Sequence, residues 1–229
     1  MAIRHQLAVS LWPMSVYAII VAAGQGARAG TAQPKQFENL RGRPVYRWSL
    51  EAFLTAPSID KTCLVLPAGR LDVVSADLAG MERLICVEGG DSRSASVRQG
   101  LDALGASDSD IVLVHDAARP GLDQTTISGV LAALHRSAAA APALPVIDAL
   151  KRRTGDRLTN VEREDLYRIQ TPQGFRAGLL RRALSEPGAS FVDDLAAIEA
   201  TGESVALVPG SERLSKITFA EDFRQIERQ

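Results

Sequence analysis

The sequence predicts an α/β protein, with a mostly parallel sheet, helices on both of its faces and a projecting β-arm. Three observations carry this. Apolar runs bounded by Gly, Pro or Asp recur along the chain and stay hydrophobic throughout, as strands buried on both faces do. Between them, apolar residues fall three and four apart, the spacing of one helix face. The two patterns alternate, as they do where crossover helices join parallel strands.

Taken in order, Val16–Ala23 is the first strand, followed by Thr62–Leu66 and Leu84–Val87. Val97, Leu101 and Leu104 then form a helical stripe, Ile111–Val114 a further strand, and Ile127, Val130, Leu131 and Leu134 a second stripe. Ala143–Ile147 and Val205–Val208 complete the strands. The run Ala138–Ala141 is low in complexity and is assigned to no element. Residues 149–170, ALKRRTGDRLTNVEREDLYRIQ, break the alternation with dense charge and a turn signal at Thr154-Gly155-Asp156. They read as a β-hairpin arm of one domain spanning residues 1–229; a solvated excursion is the plainer alternative. Residues 1–14 read as an extension before the first strand, with the natural start open between Met1 and Met14. Pro13 interrupts their apolar patch and no clean cleavage site follows, against a signal peptide.

Composition narrows the function classes. The 229 residues are 46% hydrophobic and 23% charged, which excludes a disordered chain, a collagen-like chain and a disulfide scaffold. Lys and Arg number 26 against 27 Asp and Glu, so nothing favours nucleic acid or an anionic membrane as a bulk electrostatic partner. An anion would have to be held by a local cluster. No apolar stretch reaches the roughly 18–20 residues of a membrane helix. Cys63 and Cys86 sit in apolar runs without ligand spacing, which suits core packing, a reducing compartment and a cytoplasmic location.

Four segments can carry chemistry. After the first strand, Gly24-x-Gly26-x-x-Ala29 matches the loose dinucleotide fingerprint, which requires an acid ending a second strand about 20 residues on. The stretch Leu40–Tyr46 offers none, so the dehydrogenase reading fails. The same turn suits phosphate, because small residues let backbone N–H groups approach closely. Arg28 and Lys35 add two cations, completing a triphosphate cradle; a tight turn with two solvated cations is the alternative. Next, the run Ile111–Val114 leads into His115, a packed residue, and Asp116, at a strand's carboxyl end where ligands bind open α/β sheets. A single carboxylate beside phosphates suits Mg²⁺ or another divalent cation; alternatively Asp116 caps a turn and pairs with Arg119. In Glu88–Ser96, Asp91 or Ser92 can cap a helix, or Gly90, Asp91 and Ser96 can read a pyrimidine edge. Lys216, alone, reads as a surface lysine.

In this order the segments Ala22-Ala23-Gly24-x-Gly26-x-Arg28, Pro34-Lys35-Gln36, Gly89-Gly90-Asp91-x-Arg93-x-x-Ser96-Val97, Val114-His115-Asp116-Ala117-Ala118-Arg119-Pro120, Thr171-Pro172-Gln173 and Lys216-Ile217-Thr218 resemble the 2-C-methyl-D-erythritol 4-phosphate cytidylyltransferase family of the non-mevalonate isoprenoid pathway. The resemblance runs from about Val16 to the C-terminus. It implies a Rossmann-like nucleotidyltransferase fold, a homodimer formed through the arm, CTP and methylerythritol phosphate as substrates, Mg²⁺, and release of pyrophosphate. By position, Arg28, Lys35 and Lys216 would clamp the phosphates, while Ala22, Ala23, Gly24, Gly26, Gly90, Asp91 and Ser96 would hold the nucleotide. Asp116 would hold the metal, and Ala117, Arg163, Thr171 and Val192 would face the acceptor, Arg163 from across the dimer. Asp148 also matches a family position.

One position departs from the family, since Val192-Asp193-Asp194 lacks the usual threonine hydroxyl near the acceptor phosphate; Ser190 is the neighbour that would replace it. Two rivals follow. A cytidylyltransferase for ribitol 5-phosphate or another polyol phosphate would keep the same CTP half. A non-catalytic nucleotide-binding module, as part of a fusion with a zinc-dependent cyclase, would have no use for the full phosphate clamp.

Overall fold

Two carboxylates fix where the first strand enters the fold. Asp60 accepts the Val16 N–H at 2.7 Å and Asp110 accepts the Ser15 N–H at 3.0 Å, so the strand starts between two neighbours that are distant in sequence. The computed structural model describes residues 14–24, 33–185, 191 and 193–228. Its strands are β1 (Val16–Val21), β2 (Asn39–Leu40), β3 (Arg43–Pro44), β4 (Lys61–Leu66), β5 (Leu84–Glu88), β6 (Ile111–Asp116), β7 (Ala139–Pro145), β8 (Leu150–Thr154), β9 (Arg157–Val161), β10 (Tyr167–Ile169), β11 (Gln173–Arg176) and β12 (Val205–Pro209). The helices are α1 (Val45–Leu54), α2 (Leu71–Asp77), α3 (Arg93–Leu104), α4 (Gln124–Ala133), α5 (Ala177–Ala183), α6 (Asp194–Glu199) and α7 (Ala220–Glu227).

Eight strands form the main sheet in the order β5–β4–β1–β6–β11–β7, with β12 on the outer side of β7 and β10 on its inner side, in line with β11. β1 pairs in parallel with both β4 and β6, so the chain winds outward from β1 in two directions. β10 and β11 run antiparallel to their neighbours, the one departure from parallel pairing. Alternate residues of β1 serve opposite cores. Ala18 and Ile20 join Leu50 and Phe53 of α1 and Val130 of α4. Ile19 joins Val97 and Leu101 of α3, Leu180 of α5 and Ile198 of α6. The expected α/β architecture, with helices on both faces, is therefore present. Among the described residues no helix is long and apolar enough to cross a membrane.

Beyond shifts of two residues at the ends of β1 and β6, two segments differ from the sequence reading. The strand expected over Ala143–Ile147 begins instead at Ala139, inside the alanine run. Its small side chains are filled from above and below: Ala140 lies in the core with Ile127 and Leu131, and Ala139 and Ala141 lie with Phe175 and Leu195. Volume supplied by the helices makes up for the volume the strand lacks. The hairpin in residues 149–170 forms as expected, with Thr154 opposite Arg157 and Gly155 at φ 59°, in the left-handed region that favours glycine in tight hairpin turns. The arm is shorter than expected, however, because Tyr167–Ile169 pairs with Ala143–Pro145 of the main sheet. Among the described residues β8 and β9 pair only with each other.

Phe175 of β11 is fully buried against the α3, α5 and α6 face. Phe175→Ala is expected to cost about 3–5 kcal/mol in urea unfolding, through lost transfer energy and the cavity left behind. A loss below about 1 kcal/mol would mean that this face closes over the gap.

Candidate active site

Open α/β sheets bind ligands where the winding reverses, outside the carboxyl ends of the strands. Here that point lies between β1 and β6, and a cleft of about 590 Å³ occupies it. Loops leaving parallel strands form much of its wall: Ala23 and Gly24 after β1, Pro67 and Ala68 after β4, Gly89 and Gly90 after β5, and Ala118 after β6, with Arg93 and Ser96 added by α3. The loops after β1 and β5 touch. A Cβ on Gly89 would stand 2.5 Å from Cβ of Ala23 and 2.7 Å from Oγ of Ser96, so only glycine permits the approach. Ser92 caps α3, its Oγ accepting the Ala95 N–H at 3.0 Å. The Ser96 hydroxyl, almost fully buried at the cleft wall, donates to the Ser92 carbonyl at 2.9 Å.

Asp116 is the electrostatic centre of the cleft. It is 8% exposed, with Lys216 Nζ 2.7 Å from Oδ2, Arg93 Nε 3.3 Å from Oδ1 and Arg119 Nε 3.8 Å from Oδ2. Burial pushes its carboxyl up, but Arg93, Lys216 and Arg119 outweigh burial and hold it well below the usual carboxylate range. Arg93 also donates from Nη1 to Asp194 Oδ2 at 2.6 Å, and the two carboxylates keep the guanidinium charged against its burial. Lys216 is therefore no isolated surface lysine. Its segment is stitched to the loop after β6: Ile217 N–H donates to the Ala118 carbonyl at 2.9 Å, and Arg119 Nη1 to the Leu214 carbonyl at 2.7 Å. Gly121 makes that seam possible, because a Cβ there would lie 1.9 Å from the Arg213 carbonyl oxygen.

Behind the cleft, His115 is fully buried. Its Nε2 lies 3.1 Å from the Arg119 carbonyl, which only accepts, so Nε2 carries the proton. Nδ1 therefore accepts from Thr171 Oγ1 at 3.0 Å, and that hydroxyl oxygen in turn accepts the Asp116 N–H at 3.1 Å. Burial holds the imidazole down at about 4, and both ring nitrogens are engaged. His115 is a packed, hydrogen-bonded residue and is not placed to act as a base.

The cleft walls bring together Ala23, Gly24, Lys35, Gly90, Asp91, Ser96, Asp116 and Lys216 of the residues expected from sequence. Ala22, Ala117 and Thr171 are buried behind the wall, and Thr171 spends its hydroxyl on His115 and Asp116. Arg163 and Asp148 are exposed at the arm, where the Arg163 guanidinium donates to the Ile147 carbonyl. Gly26, Arg28, Ala29, Ser190 and Val192 lie outside the described residues. Sequence reasoning gave no role to Arg93 or Gln36, both of which line the cleft. Arg93 had a legible signal: a cation in the first turn of a helix opposes the macrodipole and needs anionic partners to hold it.

A doubly wound sheet with converging cations and an ionised carboxylate at its switch point is the frame of a nucleotide-binding α/β protein, and its likeness to solved structures makes it a Rossmann-like nucleotidyltransferase fold. The sequence model described as IspD: 2-C-methyl-D-erythritol 4-phosphate cytidylyltransferase matches residues 16–228, and the chain belongs to that family. It is 47% identical over 213 residues to a bifunctional enzyme IspD/IspF of Hyphomonas neptunium, covering 92% of this chain and 55% of that protein. It is 43% identical over 218 residues to the 2-C-methyl-D-erythritol 4-phosphate cytidylyltransferase of Cereibacter sphaeroides strain ATCC 17023, covering 94% and 96%. The chain thus spans about half the length of the bifunctional relatives it matches. The crystal structure of 2-C-methyl-D-erythritol 4-phosphate cytidylyltransferase from Thermus thermophilus superposes with a TM-score of 0.78 at 36% identity, over 94% of this chain and 98% of that one.

The buried imidazole makes stability depend on pH. Folded His115 binds a proton at about 4, against 6.5 for the ordinary value, so between these pH values the unfolded chain takes up the proton first. Its contribution is complete above pH 6.5 and is lost as pH falls toward about 4, by roughly 3 kcal/mol. Urea unfolding at pH 7 and pH 4.5 should show the loss, and His115→Gln should remove most of the difference. An unchanged pH slope in the variant would assign the acid sensitivity elsewhere.

Proposed function

We propose that the chain transfers CMP from CTP to 2-C-methyl-D-erythritol 4-phosphate, giving 4-diphosphocytidyl-2-C-methyl-D-erythritol and pyrophosphate in isoprenoid precursor synthesis. The observation that carries this reading is the buried, ionised Asp116 with Lys216 at 2.7 Å, in a cleft that Lys35 also lines. The acceptor is a phosphate monoester, mostly dianionic near neutral pH because its second pKa is about 6. It attacks the α-phosphorus, the bond to the pyrophosphate oxygen breaks, and no proton has to be removed from the nucleophile. A His115 that is not placed to act as a base is consistent with that chemistry. The chain's task is to bring two polyanions together and to stabilise charge on the α-phosphate and the leaving pyrophosphate. Lys35 and Lys216, with Arg28 by family position, supply that charge, while Gly90, Asp91 and Ser96 sit where a small base would be read.

The donor set suits a divalent ion that arrives with the triphosphate. Asp116 is one ionised carboxylate, and among the described residues no group of three or more His, Cys, Asp or Glu could hold a metal by itself. Mg²⁺ takes one or two carboxylates and completes its shell with phosphate oxygens and water. Bound at Asp116, it would add positive charge beside the phosphates. We also assign the arm to pairing with a second copy. Ile147, Leu158, Leu166 and Tyr167 are exposed apolar side chains on or beside this charged hairpin, Leu158 at 66%. Pairing through them would carry Arg163 to the acceptor phosphate of the other subunit. The free thiols of Cys63 and Cys86 support a reducing, cytoplasmic setting.

Pyrophosphate release with CTP, Mg²⁺ and methylerythritol phosphate tests the reading. Turnover should be high with this acceptor and low with ATP or GTP in place of CTP. Equal turnover with ribitol 5-phosphate would move the assignment to a polyol phosphate, and CTP binding without any turnover would leave a nucleotide-binding module. Lys35→Ala and Lys216→Ala should each lower turnover by roughly 10²–10³, the usual loss for one transition-state donor. Near-normal turnover would remove that lysine from the clamp. Leu158→Glu should shift the sedimentation coefficient from dimer to monomer, and a dimer that persists would place the interface elsewhere.

A further inference from the structure

Gln36 follows Lys35 in a single tight turn, Lys35–Phe37, and is 3% exposed, yet its side chain serves another segment. Its Nε2 lies 2.6 Å from the Ala22 carbonyl oxygen and 2.6 Å from the Gly24 carbonyl oxygen. One amide thus gives both of its N–H groups to the turn that leaves β1. We infer that Gln36 is the positioning residue of the nucleotide-binding turn, locking the Ala22–Gly24 backbone to Lys35 so that turn and cation meet the triphosphate as one unit. This rests on the CTP reading above.

The chemistry of the contact is selective. Two carbonyls must be satisfied by one uncharged side chain with two donors, and a primary amide meets that need. The base from which Gln36 reaches is stiff. Phe37 N–H donates to the Pro34 carbonyl at 2.8 Å, and Gln33 Nε2 donates to the Phe37 carbonyl at 3.0 Å. The Phe37 ring meets Tyr46 edge-on at 5.6 Å and lies under the Arg70 guanidinium at 4.7 Å. At the other end, Ala22 is held from both sides, its N–H by the Val65 carbonyl at 2.8 Å and its carbonyl by Gln36. In a trans peptide the C=O and the next N–H point in opposite directions. The orientation of the Ala23 N–H, on the cleft wall, is therefore set by where Gln36 draws the Ala22 carbonyl. Glu cannot supply both bonds, because its ionised form presents only acceptors and its protonated form a single donor to two carbonyls.

Two variants test the inference. Gln36→Met keeps the length and removes the donors; Gln36→Glu keeps the shape and replaces N–H by oxygen. For each, CTP Kd with Mg²⁺ by calorimetry, KM for CTP and for the acceptor, and Tm are measured beside the wild type. Both variants should raise CTP Kd and KM by about ten-fold or more, Glu more than Met, as loss of preorganised hydrogen bonds entails. The acceptor KM should stay within about two-fold, a split that a general structural role would not produce. A folded Gln36→Met that binds CTP as the wild type does overturns the inference, as does a parallel rise in both KM values. Loss of the fold in both variants would make Gln36 a structural residue and overturn it too. Failure of the folded wild type to bind CTP would instead sink the CTP reading, and this inference with it.

Discussion

A carboxylate buried among cations cannot be moved or protonated without leaving those cations unpaired, and Asp116 imposes that constraint on the whole carboxyl end of the sheet. Its partners come from three places: Arg93 from the start of α3, Arg119 from the loop after β6, and Lys216 from the segment before α7. Taking an ion out of water costs several kcal/mol, repaid only when opposite charge and hydrogen bonds surround it. Each of these segments is therefore held at a defined distance from one atom pair. Arg93 extends the chain of charge to Asp194 at the start of α6, so a fourth element is tied to the same point.

Around that node the fold supplies neutral scaffolding. His115 and Thr171 relay hydrogen bonds from the Arg119 carbonyl to the Asp116 N–H, fixing the strand end without adding a charge that would compete with the carboxylate. Glycine serves close approach: Gly89 lets the loops after β1 and β5 touch, and Gly121 lets the Lys216 segment lie on the loop after β6. Polar precision at the cleft thus rests on small residues and fully engaged neutral groups, set on a sheet whose two apolar cores resist deformation.

The arm obeys different physics. Among the described residues its strands pair only with each other, and its residues are almost all exposed. An isolated two-stranded hairpin is marginal in water. Leu158 and Ile147 are exposed apolar side chains on this charged segment, the feature on which its proposed pairing with a second copy rests.

Local pattern in the sequence determined the strand–helix alternation, the stripes of α3 and α4, the hairpin turn at Gly155 and the glycine, lysine and aspartate types that meet in the cleft. These were legible because burial on one or both faces leaves a period of its own, and because turn and cap residues act over two or three positions. Tertiary structure alone decided the rest. The alanine run became a central strand only because helices on both faces fill the space its side chains leave. Tyr167–Ile169 joined the main sheet rather than the arm through pairing with Ala143–Pro145. Lys216 and Asp116 are 100 residues apart, and Arg93 and Asp194 are 101 apart. Periodicity reports how a segment is buried, but an ion pair across such a separation exists only once the winding of the sheet brings both carboxyl-end loops over the same cleft.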